Sequence, residues 1–237
     1  MEIDMRAAQG RLPLTCKETP MFTTTFGGKT YDDGEIDLME MQHARGALKL
    51  WKERGRPAPE IFTASELAAT DALMKKWITD ANGDLKPSDV MIAATGMTAE
   101  EFIAQFHEIT MDKQLMLASE PEHYLMSVEN GKIRGIEICG GEPLELTMTI
   151  SDEFLSEVAP DPDFPTRLVA KGFTRAGDFV TAGMHQFRTT PDGFEAKLAL
   201  YFGGAIPDHN VHHHREHLAV EHRNWYRFAL EKLGRTG

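Results

Sequence analysis

The sequence predicts an α+β protein, and the order of its segments leads to this fold class. Helix-like segments occupy the first half, and six strand-like segments follow one another after about residue 115. A long amphipathic stretch from His209 to Leu233 then closes the chain. This order is typical of a curved antiparallel sheet with the terminal helix packed across it.

The first half predicts an N-terminal arm and a helical cap over residues 1–90, followed by the main domain over residues 91–237. Residues 1–34 are rich in Thr, Gly and Pro and predict an irregular arm, with Gly27-Gly28 as a turn. Thr98 and Glu101 form a capping box that opens a later helix. The other predicted elements here are a helix from Glu35 to Arg54, a helix from Ser65 to Ile78 capped by Ser65, and a linker from Asp80 to Pro87.

The second half alternates strand-like segments with turn signals. Glu129-Asn130-Gly131 and Thr190-Pro191-Asp192-Gly193 are turn signals that favour hairpins. The segments between such turns predict an antiparallel sheet. They are His123–Val128, Ile133–Cys139, Leu144–Ile150, Arg167–Phe173, Asp178–Arg188 and Gly193–Phe202.

Composition excludes several classes of function. The formal net charge of −12 disfavours nucleic-acid binding, since no local Lys and Arg cluster offsets it. No stretch approaches the roughly 20 apolar residues that span a bilayer, and the N-terminus lacks the apolar core of a secretory signal. Cys16 and Cys139 stand far apart and form no metal or redox motif, so we expect a folded protein of the reducing cytoplasm.

Six of the ten histidines fall between His209 and His222, inside the predicted terminal helix. On a helical projection Glu221 lies within the apolar arc of that helix, beside Trp225 and Phe228. A carboxylate on a buried face is costly unless it is paired or bound to a cation. His217 lies one turn earlier, so His217 and Glu221 can converge on one divalent ion.

Two alternatives accompany this interpretation. His213 and His214 also lie near the arc, so either could replace or orient a ligand. The helix start could instead be solvated, with Glu221 paired to an arginine such as Arg188. Two ligands from one helix do not complete a metal site, so the metal interpretation requires a second pair upstream.

The upstream motifs resemble a known family. A helix beginning at Met97-Thr98, the segment Pro121-Glu122-His123, the strand segment Glu137-Ile138-Cys139-Gly140 and the closing His217-x-x-x-Glu221 follow one another in this order. This order resembles the diacetylphloroglucinol hydrolase family, whose members cleave a carbon–carbon bond between an acyl group and a phenolic ring. Pro121-Glu122-His123 is one residue shorter than the family's Pro-x-x-His.

The resemblance implies a fold, an activity and a set of ligands. The fold would be a helix-grip domain of the Bet v 1 or START type, with an apolar cavity between the curved sheet and the C-terminal helix. The ligands of a zinc ion, or of another divalent metal, would be His123, Glu137, His217 and Glu221. The substrate would be an aromatic or ketonic small molecule, and the scaffold leaves a homodimer open.

His214 and His185 are the residues that we expect to transfer protons, because imidazole titrates near neutral pH. Two other functions remain compatible with the sequence. One is a non-catalytic helix-grip domain that binds an apolar small molecule, and the other is a metal enzyme with different chemistry, such as a cyclase or isomerase. Metal analysis of the purified protein separates the non-catalytic domain from the two metal enzymes.

Overall fold

The structure is a computed structural model that describes residues 21–54, 60–151 and 154–235. The described residues form an α+β fold, as the sequence predicts, with nine strands and five helices. The strands are β1 (Phe22–Phe26), β2 (Lys29–Asp32), β3 (Leu85–Thr95), β4 (His123–Glu129), β5 (Lys132–Cys139), β6 (Glu142–Ile150), β7 (Thr166–Thr174), β8 (Phe179–Thr190) and β9 (Gly193–Gly203). The helices are α1 (Asp33–Arg54), α2 (Ala64–Asp80), α3 (Ala99–Met111), α4 (Lys113–Ser119) and α5 (Asp208–Lys232).

The nine strands form one antiparallel sheet in the order β2-β1-β3-β9-β8-β7-β6-β5-β4. The six predicted strands correspond to β4 through β9, with ends that differ by one or two residues. The turn between β4 and β5 is the predicted one, and Asn130 and Gly131 both adopt the positive φ that such a tight turn needs. The run from β4 to β9 is therefore confirmed.

The first third of the chain contributes more to the sheet than the sequence predicts. Residues 22–32, predicted to be irregular, form the β1–β2 hairpin around Gly27-Gly28, while residues 1–20, including Cys16, lie outside the described part. The predicted linker ends inside β3, which pairs with β1 and β9 as the third strand of the sheet. The predicted boundary between residues 90 and 91 also falls inside β3, so one sheet joins the strands on its two sides.

The helices follow their sequence signals with two differences. Thr63, and not Ser65, caps α2, because its side chain accepts from the backbone N–H of Glu66 while the Glu66 carboxylate accepts from the Thr63 backbone. Thr98 and Glu101 form the predicted capping box of α3. The short helix α4 has no predicted counterpart and starts at the Asp112 cap. No helix in the described ranges is both long and apolar enough to cross a membrane.

Helix α5 is covered on more sides than one apolar arc predicts. Leu218, Trp225 and Ala229 are buried in the main core together with residues of the sheet. On the side that faces α1, the fully buried guanidinium of Arg223 forms ion pairs with Asp37 and Glu40. Helix α5 is thus held between the sheet and α1, and this packing fixes the rotation of its central histidines.

The start of α5 is also tied to the end of β5. The side-chain amide of Asn210 donates to the carbonyl oxygen of Gly140. Gly140 has φ +62°, a backbone conformation that favours glycine. A Cβ at this position would also lie only 2.8 Å from the carbonyl oxygen of Asn210, so the close packing needs glycine as well. This contact sets the register of α5 against β5, and therefore of Glu221 against Glu137.

Candidate metal centre

The β4–β5 hairpin brings His123 and Glu137 together. The two residues are direct cross-strand partners in the antiparallel register, although 14 positions separate their numbers along the chain. The Nε2 atom of His123 lies 3.5 Å from Oε2 of Glu137. The neighbours Ile136 and Ile138 belong to a separate apolar cluster, because successive side chains of a strand point to opposite faces. Glu137 is therefore on the face that α5 covers.

Helix α5, which covers this face of the sheet, supplies the other two predicted residues, His217 and Glu221. His217 Nε2 lies 3.1 Å from His123 Nε2, and Glu221 Oε1 lies 3.5 Å from the same atom. His123 and His217 are buried, and the Glu221 side chain is 11 % exposed. The structure thus brings together the four side chains that the sequence singled out. Arg188, the alternative partner of Glu221, instead binds Glu195 on β9.

The distances from His123 Nε2 to the other three side chains are close to the donor spacing of a tetrahedral ion. Ligand bonds of about 2.0–2.2 Å place tetrahedral donors roughly 3.3–3.6 Å apart. The three distances from His123 Nε2 are 3.1 Å to His217, 3.5 Å to Glu137 and 3.5 Å to Glu221. Ligand atoms of His123, Glu137 and His217 all lie within 4.8 Å of one another. These buried His and Glu side chains could hold one metal ion.

The imidazole of His123 is oriented for such a role. Its Nδ1 lies 2.7 Å from the carbonyl oxygen of Met116, which can only accept a hydrogen bond. Nδ1 therefore carries the hydrogen, and in the neutral ring the lone pair is on Nε2, the atom that faces His217, Glu137 and Glu221. A backbone carbonyl that fixes the tautomer in this way is a usual partner of metal-binding histidines.

Burial shifts the acid–base equilibria of this group towards the uncharged forms. Burial and the nearby Glu120 raise the pKa of Glu137 to about 7. Burial, with Glu137 and Glu120, raises the pKa of Glu221 well above its usual value. Burial lowers the pKa of His217 well below its usual range. A bound cation would reverse the effect on the carboxylates, because it favours their ionised form.

A second group of ionisable side chains lies beside the first, and the sequence did not indicate it as a site. Ligand atoms of His43 on α1, Glu122 before β4 and His213 on α5 lie within 4.8 Å of one another. Glu120, completely buried, lies between the two groups: Oε1 is 2.6 Å from His43 Nδ1, and Oε2 is 3.8 Å from His217 Nδ1. The signal that could have revealed this group is the segment Glu120-Pro121-Glu122-His123, which contains three acidic or imidazole ligands in four residues.

A cavity of about 160 Å³ adjoins the first group. Glu137, His217 and Glu221 line it together with His185 and His214. Most of its remaining wall is apolar and comes from both the sheet and the helices, including Phe106, Met116, Met126, Leu146, Met148, Leu168, Leu200 and Trp225. The arrangement places the polar groups beside an otherwise apolar chamber, as in many small-molecule sites.

His185 and His214, the residues predicted to transfer protons, both line this cavity. Burial lowers the pKa of His185 to about 4 and that of His214 to about 3. Both rings are therefore neutral at pH 7, and the expectation of titration near neutrality is wrong for the protein alone. His214 Nδ1 lies 2.8 Å from Ser88 Oγ, whereas His185 Nδ1 has no hydrogen-bond partner among the described residues.

Comparison of the chain with models of protein families and with curated proteins finds no match.

Proposed function

We propose that this protein is a divalent-metal hydrolase that cleaves the carbon–carbon bond between an acyl group and a phenolic ring. The observation that carries this proposal is the set of distances of 3.1, 3.5 and 3.5 Å from His123 Nε2 to His217, Glu137 and Glu221. Two imidazoles and two carboxylates are ligand types that zinc prefers, and in this protein three of them surround one nitrogen of the fourth. The motif order that resembles the diacetylphloroglucinol hydrolase family supports the choice of reaction.

The cavity supports an aromatic substrate of modest size. Its volume of about 160 Å³ and its apolar wall, which includes Phe106, Leu146 and Trp225, fit a substituted ring better than a charged metabolite. A ring held there would place an acyl substituent towards the side chains of Glu137 and Glu221. The position of α5 across the antiparallel sheet supports assignment to the helix-grip fold.

The reaction adds water across the acyl–ring bond. The oxygen of water bonds to the carbonyl carbon, the acyl–ring bond breaks with its electron pair on the ring carbon, and that carbon takes up a proton. The products are a carboxylic acid and a phenol with one acyl group fewer. His123, Glu137, His217 and Glu221 would hold a divalent ion, which would supply Lewis acidity to polarise the carbonyl and to make water more acidic.

The protein's own residues supply binding and proton transfer. The apolar wall binds the ring and excludes bulk water, so that charge developing in the cavity is weakly screened. His185 is neutral at pH 7 and has an Nδ1 without a hydrogen-bond partner in the described part of the chain. Its low pKa makes His185 a weak base in the free protein, but negative charge that develops on the bound ring would favour its protonated form, which can deliver the proton to the ring carbon.

The test uses the full chain, freed of metal by a chelator and then loaded with Zn²⁺. We expect diacetylphloroglucinol to lose acetate in the zinc-loaded protein, with no release above the blank in the chelated protein. Glu137→Gln should lose the activity, whereas His209→Gln, which changes an exposed histidine of α5, should keep it. Zinc-loaded protein that releases no acetate from an acylphenol would overturn the proposed reaction.

The apolar wall of the cavity also supports a second candidate, a domain that binds an apolar small molecule without converting it. Equilibrium binding of the same acylphenol to chelated protein separates the two functions. Tight binding that zinc does not change, together with no turnover, favours the binding domain. Turnover that depends on zinc favours the hydrolase.

A further inference from the structure

The group of His43, Glu122 and His213, called here the His43 cluster, is built from three separate parts of the chain. Helix α1 contributes His43, the segment before β4 contributes Glu122, and α5 contributes His213. His213 Nε2 lies 3.7 Å from Glu122 Oε2, and the rings of His43 and His213 stack with centroids 5.2 Å apart. The ion pairs of Arg223 with α1 hold α1 on α5 and so keep these side chains together.

The His43 cluster contains buried polar atoms that lack partners. His43 is 5 % exposed and Glu122 is 7 % exposed. Within the described ranges, His43 Nε2, Glu122 Oε2 and His213 Nδ1 have no hydrogen-bond partner. A buried polar atom without a partner costs about 1–3 kcal/mol, and more if it is charged. Three such atoms in one cluster therefore indicate a ligand that satisfies at least some of them.

Glu120 orients His43 towards this position. His43 Nδ1 lies 2.6 Å from Glu120 Oε1, so the ring donates its Nδ1 hydrogen to the carboxylate. In the neutral ring this leaves the lone pair on Nε2, which lies 3.8 Å from Glu216 Oε2. A carboxylate that holds the far nitrogen of an imidazole is the arrangement that supports metal-binding histidines.

We propose that His43, Glu122 and His213 form a second divalent-cation site that takes zinc or a similar borderline-soft ion. Two imidazoles and a carboxylate provide the nitrogen and oxygen donors that zinc prefers, and Glu216 lies close enough to serve as a fourth ligand after a small movement. The carboxylates of Glu120 and Glu216 provide compensating negative charge, and a bound cation would favour the ionised form of Glu122, whose pKa burial raises to about 8. The site shares no ligand with His123, Glu137, His217 and Glu221, although ligand atoms of Glu122 and His217 lie within 4.8 Å of each other and of Glu120.

A protonated His43 is the competing explanation of the cluster. Burial by itself would lower the pKa of His43, but its hydrogen bond to Glu120 and the nearby carboxylate of Glu216 raise this pKa to about 10. A proton on His43 would thus balance part of the negative charge without any metal. A second metal site and a protonated His43 predict different numbers of metal ions retained by the chain.

The test measures retained metal in the purified full chain after saturation with Zn²⁺ and dialysis, for the wild type and for His213→Gln, His217→Gln and the double variant. We expect the wild type to retain two equivalents of Zn²⁺ and each single variant to retain one equivalent. The double variant should retain none. The His213 side chain is 30 % exposed, so its replacement should leave the fold intact, and circular dichroism checks this. His209→Gln on the same helix is the control and should retain two equivalents.

The two proposals fail in different ways in this experiment. If wild type and His213→Gln both retain one equivalent, and His217→Gln retains none, the His43 cluster holds a proton and the second site is wrong. If His213→Gln retains none while His217→Gln retains one, the His43 cluster is the site and the proposed catalytic centre is wrong. Co²⁺ absorption, which reports ligand type, provides a second readout, and His43→Gln replaces His213→Gln if that variant unfolds.

Discussion

The Nε2 atoms of His123 and His217 lie 3.1 Å apart, although the residues are 94 positions apart in the chain. The Met116 carbonyl keeps the hydrogen of His123 on Nδ1, so the Nε2 lone pair of His123 faces the other ring. His217 Nδ1 lies 3.8 Å from Glu120 Oε2 and has no hydrogen-bond partner among the described residues, so a hydrogen on His217 Nε2 can join the two rings in the metal-free protein. A cation between the two Nε2 atoms would replace this hydrogen and be held by both lone pairs.

We therefore expect His217→Ala and Glu221→Ala each to abolish retention of one equivalent of Zn²⁺ while the protein remains folded. Each change removes a proposed ligand from a helix that Leu218, Trp225 and Ala229 still hold in the core. Metal analysis after dialysis measures the loss, circular dichroism checks the fold, and His209→Ala is the control. Zinc content equal to that of the wild type in both variants would exclude these residues as ligands.

The pKa of Glu137 predicts how zinc affinity depends on pH. Burial raises this pKa from 4.5 to about 7, so in the metal-free protein the carboxyl is largely protonated below about pH 7. Zinc needs the ionised form, so binding releases a proton and affinity should increase with pH up to about 7, after which this group contributes no further increase. Titrations in competition with a chelator at several pH values measure the slope.

The raised pKa of Glu137 also determines whether stability rises or falls with pH. A carboxyl with a raised folded-state pKa contributes stability below its unfolded value of 4.5, and this contribution is lost as the pH rises through about 7. Zinc should therefore raise the thermal midpoint more at pH 8 than at pH 5. The Glu137→Gln variant has no ionisable side chain at this position. The part of the pH dependence of the zinc-induced rise that comes from Glu137 should therefore be absent in this variant. An equal rise at both pH values in the wild type would contradict the prediction.

The sequence was sufficient for the part of the fold in which local signals agree. Alternating apolar residues and the Asn130-Gly131 and Thr190-Pro191-Asp192-Gly193 turns define β4 through β9, because strand and turn preferences there favour the same structure. Strand β3 was not predicted because Lys86-Pro87-Ser88-Asp89 looks like a turn. Pro87 is tolerated although it cannot donate to its neighbours, and the strand is stabilised by pairing with β9, which is distant in sequence.

The candidate site also contains residues that local sequence signals could select and residues that only the packing of distant segments brings together. His217 and Glu221 could be paired from helical spacing, whereas His123 and Glu137 were selected through the family resemblance and a local hairpin. His43 could not be selected, because its position near Glu122 depends on the packing of α1 against α5. That packing depends on Arg223, whose burial against α1 has no periodic signature in the sequence.

Trp225→Ala should lower the free energy of unfolding by about 3–5 kcal/mol, because it leaves a large cavity in the core. Trp225 is 4 % exposed and makes an edge contact with Phe106, with ring centroids 4.8 Å apart. Urea denaturation of the metal-free protein measures the change. Trp51→Ala is the matched control, because Trp51 on α1 is 54 % exposed and its loss should have little effect. Equal effects of the two changes would show that the core face of α5 is wrongly assigned.

His185→Gln should keep the zinc content of the wild type and lower the rate of acetate release from diacetylphloroglucinol by about 10²–10⁴-fold. His185 lines the cavity, and its Nδ1 is without a hydrogen-bond partner in the described residues, so it can exchange a proton with a ring held there. His214→Gln should lower the rate less, because Ser88 occupies the Nδ1 of His214. Added imidazole should restore part of the rate of His185→Gln, since a small base can enter the space left by the ring. A full rate in His185→Gln would remove His185 from the mechanism, and a loss that imidazole does not restore would limit His185 to a structural role.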